Sequence, residues 1–393
     1  MTLLLEATAS RCPLRRRLLA VLMLTAASIP WTLAPTAADA AHCPQGCREC
    51  GVKCSTAKFD IWLVSSRCLP ACCDMERYAD RVSVSHFVPG HGFASSTAEE
   101  FLAADDPAVP TVVLVHGSPA SHEQVVALSM DVIENLRCRS PDGAVARVVI
   151  WSWPADKQCL RIINDFRAKM PVADAHGYYL ARFLSRINPQ VRVTLAGYSF
   201  GARTVCSALH LMAGGKLCDC PTPDLSQIVD PARKYSVVLL AGGIDNDALC
   251  KGGCYDRALL SADEMLVSVN CRDPLLKRYH LLYGRKCDAA AIGFTGVASA
   301  SCVAALGDRY REIDVTCDVG KSHDIFRYLD SDALVGAVLS MVFASADDAA
   351  PAEELPAEEL PAEELPAEEV TFPARNARFQ TSEPALPATA QSF

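Results

Sequence analysis

The sequence predicts an α/β fold, a mostly parallel central sheet with helices on both faces. Three observations lead there. Short apolar, β-branched runs alternate with helix-length stretches between residues 58 and 343. Runs such as Thr111-Val112-Val113-Leu114-Val115 are apolar at successive positions, which suits strands covered on both sides of a parallel sheet. Half of the 393 residues are hydrophobic and 21% are charged, enough apolar material for a large core and too much for a disordered chain.

The elements follow in order. Residues 59–64 and 82–88 read as two early strands around a loop holding Cys68, Cys72 and Cys73. Strand 111–115 ends at His116-Gly117 and precedes a helix over 121–137. Strand 147–151 ends in Ser152-Trp153-Pro154. A helix over 174–187 leads to strand 191–196, the turn Gly197-Tyr198-Ser199-Phe200-Gly201, and a helix to Ala213. Strands 236–240, 265–269 and 312–315 and a last helix over 324–343 complete the alternation. Two stretches, 216–234 and 279–308, break the pattern and read as insertions over one edge or face.

The two ends read differently from this body. Arg11, Arg15, Arg16 and Arg17 precede an apolar run from Leu18 to Leu33, which is followed by Ala38-Asp39-Ala40. A basic region, a short apolar region and a small-residue site predict a signal peptide over 1–40, cleaved after Ala40, and a periplasmic or extracellular protein. The run contains Pro30 and is short for a membrane anchor. At the other end, 351–369 repeats Pro-Ala-Glu-Glu-Leu. A proline in every repeat forbids a continuous helix and the paired glutamates repel, so 346–393 is expected to be a disordered acidic tail. Such a tail acts as a spacer or contacts a basic partner. It carries eleven acids and two bases, a charge of −9, equal to that of the whole chain. With +2 on residues 1–40, residues 41–345 are left at −2. A near-neutral body argues against a nucleic-acid partner, which calls for a basic face.

Of 19 cysteines, Cys12 leaves with the signal peptide. The remaining 18 read as disulfides in an oxidising compartment. Cys43, Cys47, Cys50 and Cys54 make 41–57 a Cys-rich segment, and their spacing also suits zinc. Cys271, Cys317, Cys250 and Cys254 sit at or beyond strand ends, where bridges would hold loops in place; Cys271 or Cys317 is expected in a disulfide.

Gly197-x-Ser199-x-Gly201 falls between a predicted strand and a predicted helix. A random chain of this length shows the motif roughly once in ten, so its placement is the informative part. At a strand–helix turn, flanking glycines permit a sharp backbone and close packing. The serine then stands above the sheet at a helix N-terminus, where amides and dipole favour a developing oxyanion.

With Thr111–Gly117, Val148–Pro154, Val193–Arg203, Val237–Asp245 and Cys271–Leu276, the chain resembles the α/β-hydrolase superfamily over about 59–343. It is similar in particular to lipase- and esterase-like bacterial hydrolases of largely unassigned function. The resemblance implies the chain order Ser, acid, His. Ser199 is then the nucleophile. Asp245 and Asp273 each follow a strand, and the family's preference for the later one favours Asp273, with Asp245 the alternative. Among histidines after Ser199, His210 lies on a helix and His280 in an insertion. His323 lies in the loop before the last helix, where the family keeps its base. His116 is expected to be a structural turn residue. The backbone N–H groups of Phe200 and Ser118 would hold the oxyanion. The chemistry implied is acyl transfer from a small-molecule or lipid-like ester to water, with no metal or organic cofactor. Amide or thioester hydrolysis uses the same residues, and a non-catalytic surface protein on a hydrolase scaffold is the alternative from another class. The oligomeric state is left open.

Overall fold

The computed structural model describes residues 54–71, 74–217, 222–225, 228–283 and 289–344. The signal segment, most of the Cys-rich segment with its zinc-like spacing, and the acidic tail lie outside them.

The strands are β1 (Lys58–Ser65), β2 (Ser83–Val88), β3 (Gly92–Ser96), β4 (Thr111–Val115), β5 (Val145–Ser152), β6 (Val193–Tyr198), β7 (Tyr235–Leu240), β8 (Ala262–Val269) and β9 (Tyr310–Asp314). They form one nine-stranded sheet in the order β3-β2-β1-β5-β4-β6-β7-β8-β9. β2 is antiparallel to both of its neighbours, and every other pairing is parallel. β3 is absent from the sequence-based expectation. Its Gly-Phe-Ala-Ser-Ser carries little strand signal and forms because it pairs with β2 at the sheet's edge.

The helices are α1 (Ala98–Ala103), α2 (His122–Arg139), α3 (Ile162–Leu184), α4 (Gly201–Met212), α5 (Ile292–Thr295), α6 (Ala300–Leu306), α7 (Thr316–Val319), α8 (Ile325–Leu329) and α9 (Asp332–Phe343). Alternate strand residues serve two cores, as the pleat requires. Val113, Val115, Val149, Trp151, Leu195, Val237 and Leu239 join the large cluster built with α3 and α4. Residues of the opposite parity, among them Val112, Leu114, Val148, Ala196 and Val238, face α2 and α9 around an apolar cavity of about 50 Å³. A mostly parallel sheet with helices on both faces is what the alternation implied, and it matches the α/β-hydrolase fold that the resemblance implied.

Two helices differ from expectation. α3 starts at Ile162 rather than 174 and runs through Pro171. An interior proline costs about 3 kcal/mol, but the early turns bury Phe166 against Phe200 and continue the apolar face. The expected helix over 324–343 is broken into α8 and α9. At the break, buried Ser331 donates its hydroxyl to Asp318 Oδ2 at 2.5 Å, a partner that a straight helix would not reach.

The cysteine expectation needs correction. Cys250 and Cys302 form a disulfide, and Cys54 is also disulfide-bonded. Cys271 and Cys317, by contrast, are exposed free thiols. β8 and β9 pair Val269 with Asp314, which brings Thr316, not Cys317, beside Cys271. The Thr316 hydroxyl accepts from the Cys271 amide at 3.0 Å and lies 3.5 Å from its sulfur. The loop is thus tied by a hydroxyl. Cys206, on α4, is a buried free thiol, as suits a small apolar side chain.

Candidate active site

Parallel β4, β6, β7 and β8 deliver their carboxyl ends to one edge of the sheet, where open α/β sheets place their sites. Ser199 directly follows β6, with φ +53°, a left-handed conformation that is rare for a residue with a side chain. Such backbone costs of order 1–3 kcal/mol and persists where surrounding structure imposes it. Here the Ser199 N–H donates to Leu240 O at 2.9 Å, at the end of β7, and its carbonyl accepts from Gly243 N at 3.0 Å, just beyond that strand. Packing is so close that a Cβ on Gly201 would lie 2.1 Å from Val115 O. Glycine is therefore the residue that lets α4 start directly under the turn.

His323 lies between α7 and α8. Its Nε2 is 3.0 Å from Ser199 Oγ, and its Nδ1 is 2.7 Å from Asp273 Oδ2. Asp273 follows β8 and is fully buried. Four donors converge on its carboxylate: His323 and the Tyr328 hydroxyl (2.9 Å) on Oδ2, and the amides of Leu275 (2.9 Å) and Leu276 (3.0 Å) on Oδ1. With the carboxylate as acceptor, Nδ1 carries the imidazole hydrogen and Nε2 is left to accept from the serine hydroxyl. Tyr328 is held as a donor: burial, and next the Asp273 charge, raise its phenol above the ordinary range.

Asp245 is elsewhere. Its Oδ2 accepts from the Tyr283 hydroxyl at 3.0 Å, and its backbone bridges to Ala291. Desolvation raises its carboxyl, opposed by the Arg203 charge and bonds from Tyr283 and Tyr279. Arg203, one turn along α4 from Ser199, is itself committed to Asp174 (Nε–Oδ1 3.2 Å, Nη2–Oδ2 2.8 Å). Asp245 thus belongs to a mixed Tyr–Arg–Asp cluster beside the site and does not bond to His323.

Of the two residues expected to supply oxyanion donors, Phe200 follows Ser199 and occupies the N-cap of α4. Ser118 follows Gly117, whose position is so close to the elbow that a Cβ there would lie 2.9 Å from Ser199 Cβ. His116 anchors this loop. Its Nδ1 bonds to Gly117 O at 2.7 Å, its Nε2 accepts from the Trp153 amide at 3.2 Å, and its own carbonyl accepts from Trp153 Nε1 at 2.8 Å. Burial pushes its imidazole down to about 3, so it stays neutral, as a structural turn residue should.

Sequence reasoning missed three supporting side chains. The Tyr198 hydroxyl donates to His323 O, and its ring lies 5.5 Å from the imidazole. Tyr328 caps Asp273. Asn270 Nδ2 spans Gly320 O (3.0 Å) and Ser322 O (3.3 Å), fastening the His323 loop to the end of β8. Each acts across 50 or more residues of chain, which no local pattern encodes. Tyr198, inside the turn motif, and Asn270, next to Cys271, stood beside residues already singled out, but for other reasons.

The fold and this array define a hydrolase-like α/β protein with a Ser–His–Asp hydrogen-bonded chain. No family model matches the sequence, and no curated protein matches it. Among solved structures, it is similar to an inhibited esterase B from Lactobacillus rhamnosis, at 12% identity and TM-score 0.35, over 71% of this chain and 84% of that one. A second inhibited form of that esterase matches at 11% identity and TM-score 0.35, over 71% and 83%. A lipase-esterase related protein from Clostridium acetobutylicum matches at 13% identity and TM-score 0.26, over 61% of this chain and 97% of that one.

Proposed function

We propose that the protein is an exported serine hydrolase that cleaves a carboxylic ester through an acyl-enzyme. The observation that carries this reading is the chain from Ser199 Oγ to His323 Nε2 (3.0 Å) and from His323 Nδ1 to Asp273 Oδ2 (2.7 Å), built on a serine at φ +53°. His323 takes the hydroxyl proton as Ser199 Oγ attacks the ester carbonyl, and Asp273 stabilises the imidazolium that forms. The amides of Phe200 and Ser118 hold the developing oxyanion. Collapse of the tetrahedral intermediate breaks the bond to the alcohol, which leaves with the proton from His323. Water, activated by the same imidazole, then attacks the acyl-enzyme, and the acid departs as Ser199 regains its proton. The substrate is a small-molecule or lipid-like ester.

A fluorophosphonate probe tests the reading. Covalent labelling of Ser199 in the parent protein, absent from Ser199→Ala, is expected, with turnover of p-nitrophenyl esters in the same preparation. An unlabelled Ser199 in folded protein would overturn it. Export is tested by the mature N-terminus, expected at Ala41.

A further inference from the structure

Among the large apolar side chains exposed on the described residues, three fall on two segments that one arginine joins. Leu160 is 98% exposed and Ile162 51%, in the loop between β5 and α3 and the first turn of that helix. Tyr283, 41% exposed, ends the 3₁₀ segment Leu276–Leu282 that follows Asp273. The two segments are joined by Arg167 on α3, which donates from Nε to Leu282 O and from Nη2 to Leu281 O, both at 2.7 Å. The Leu160 loop is pinned as well. Asp165 Oδ1 accepts from the amides of Gln158 (2.6 Å) and Cys159 (2.8 Å).

The charge on these segments has one sign. Lys157, Arg161, Arg167, Arg272, Lys277 and Arg278 are exposed on 156–167 and 272–283. Asp156 is the one exposed acid there, and Arg67 pairs with it at 2.5 Å. Asp165 and Asp273 are buried and occupied. Six exposed bases therefore stand on a body whose residues 41–345 sum to only −2. Both segments leave strands at their carboxyl ends, the edge of the sheet that also carries Ser199.

We propose that this rim docks on the surface of an anionic phospholipid bilayer, with Leu160 and Ile162 entering the headgroup region and the six bases facing lipid phosphates. Side chains that protrude, rather than line a groove, need no shape-complementary partner, and a lipid interface supplies none. Long basic side chains reach the headgroups while their stems lie along apolar surface, and Tyr283 has the ring-plus-hydroxyl character that settles at such an interface. Attraction of this kind adds base by base and fades with salt. The proposal does not depend on ester hydrolysis.

Sedimentation with extruded vesicles tests it, using the mature protein carrying Ser199→Ala so that no lipid is consumed. Binding is expected to phosphatidylcholine–phosphatidylglycerol vesicles and not to phosphatidylcholine alone. Leu160→Ser/Ile162→Ser should lower the partition coefficient about tenfold or more. Lys157→Gln and Arg161→Gln should each lower it about fivefold at low salt. All of these positions are exposed, so unchanged melting curves are expected and certify folding. Equal binding to neutral vesicles, or anionic binding indifferent to the Leu160/Ile162 change, would overturn the proposal. So would capture by heparin with no vesicle binding, which would assign the rim to a soluble acidic partner.

Discussion

Asp245 and Asp273 follow neighbouring parallel strands, β7 and β8, on the same edge of the sheet, yet their carboxylates lead different lives. Asp273 is fully buried and receives four donors, one of them His323. Asp245 accepts from Tyr283, and burial raises its carboxyl. The difference is one of loop course. After β8 the chain turns at once, with Asp273 N bonding to Asn270 O at 3.2 Å, so the carboxylate faces inward toward the loop between α7 and α8. After β7 it first passes Gly242 and Gly243, the second of which bonds to Ser199 O, and Asp245 emerges against Tyr283 and Ala291. A carboxylate at a strand end is thus an orienting acid only when its loop aims it at the base.

Ser199→Ala should remove the event both acids are compared on, lowering ester turnover by about 10⁴-fold or more with the melting temperature preserved. Asp273→Asn comes next. It favours the imidazole tautomer that cannot accept from Ser199, and turnover should fall roughly 10³- to 10⁴-fold. If Asp245→Asn proved the more damaging of the two, the comparison would be reversed. Tyr328→Phe leaves the acid in place but removes one donor from Oδ2; a loss of about tenfold in kcat with KM unchanged is expected from steady-state kinetics.

Asp245→Asn should change turnover by less than about twofold, since its carboxylate does not touch the base. Its signature lies in stability against pH. The folded-state carboxyl is raised, so the native protein binds a proton more tightly than the unfolded chain, and stability falls as pH rises from the ordinary carboxylate range through the raised value. The asparagine variant escapes that loss. It should melt higher than the parent at neutral pH, and the advantage should vanish in acid. An advantage that grew in acid would contradict the sign.

The smallest effect on chemistry is expected from Cys250→Ser/Cys302→Ser. The bridge spans a separation of 52 residues and ties the loop beyond Asp245 to α6. Losing it should cost about 4 kcal/mol of unfolding free energy in the chain-entropy account while turnover stays near that of the parent. A large loss of turnover would mean that the Asp245 side of the site is mechanically coupled to the reacting groups after all.

The sequence by itself determined the alternation of strands and helices, because a strand buried on both faces must be apolar at successive positions whatever surrounds it. It also singled out Ser199, through glycines that close packing demands within a few residues of the turn, and with the chain order that the resemblance implies it left three histidines as candidate bases. Between Asp245 and Asp273 the residues themselves draw no distinction, since both are aspartates just past apolar strands; the resemblance favours Asp273, and the path of each loop is what separates their carboxylates in space. The tertiary structure also decided that α3 runs through Pro171, that the last helix breaks at Ser331, and that Tyr198, Asn270 and Tyr328 brace the histidine and its acid. It decided that Cys271 stands beside Thr316 instead of a second cysteine. The reason is common to all of these. Backbone pattern is set by neighbours in sequence, whereas a buried donor's choice of acceptor is set by whatever the completed core brings within three ångströms, from anywhere in the chain.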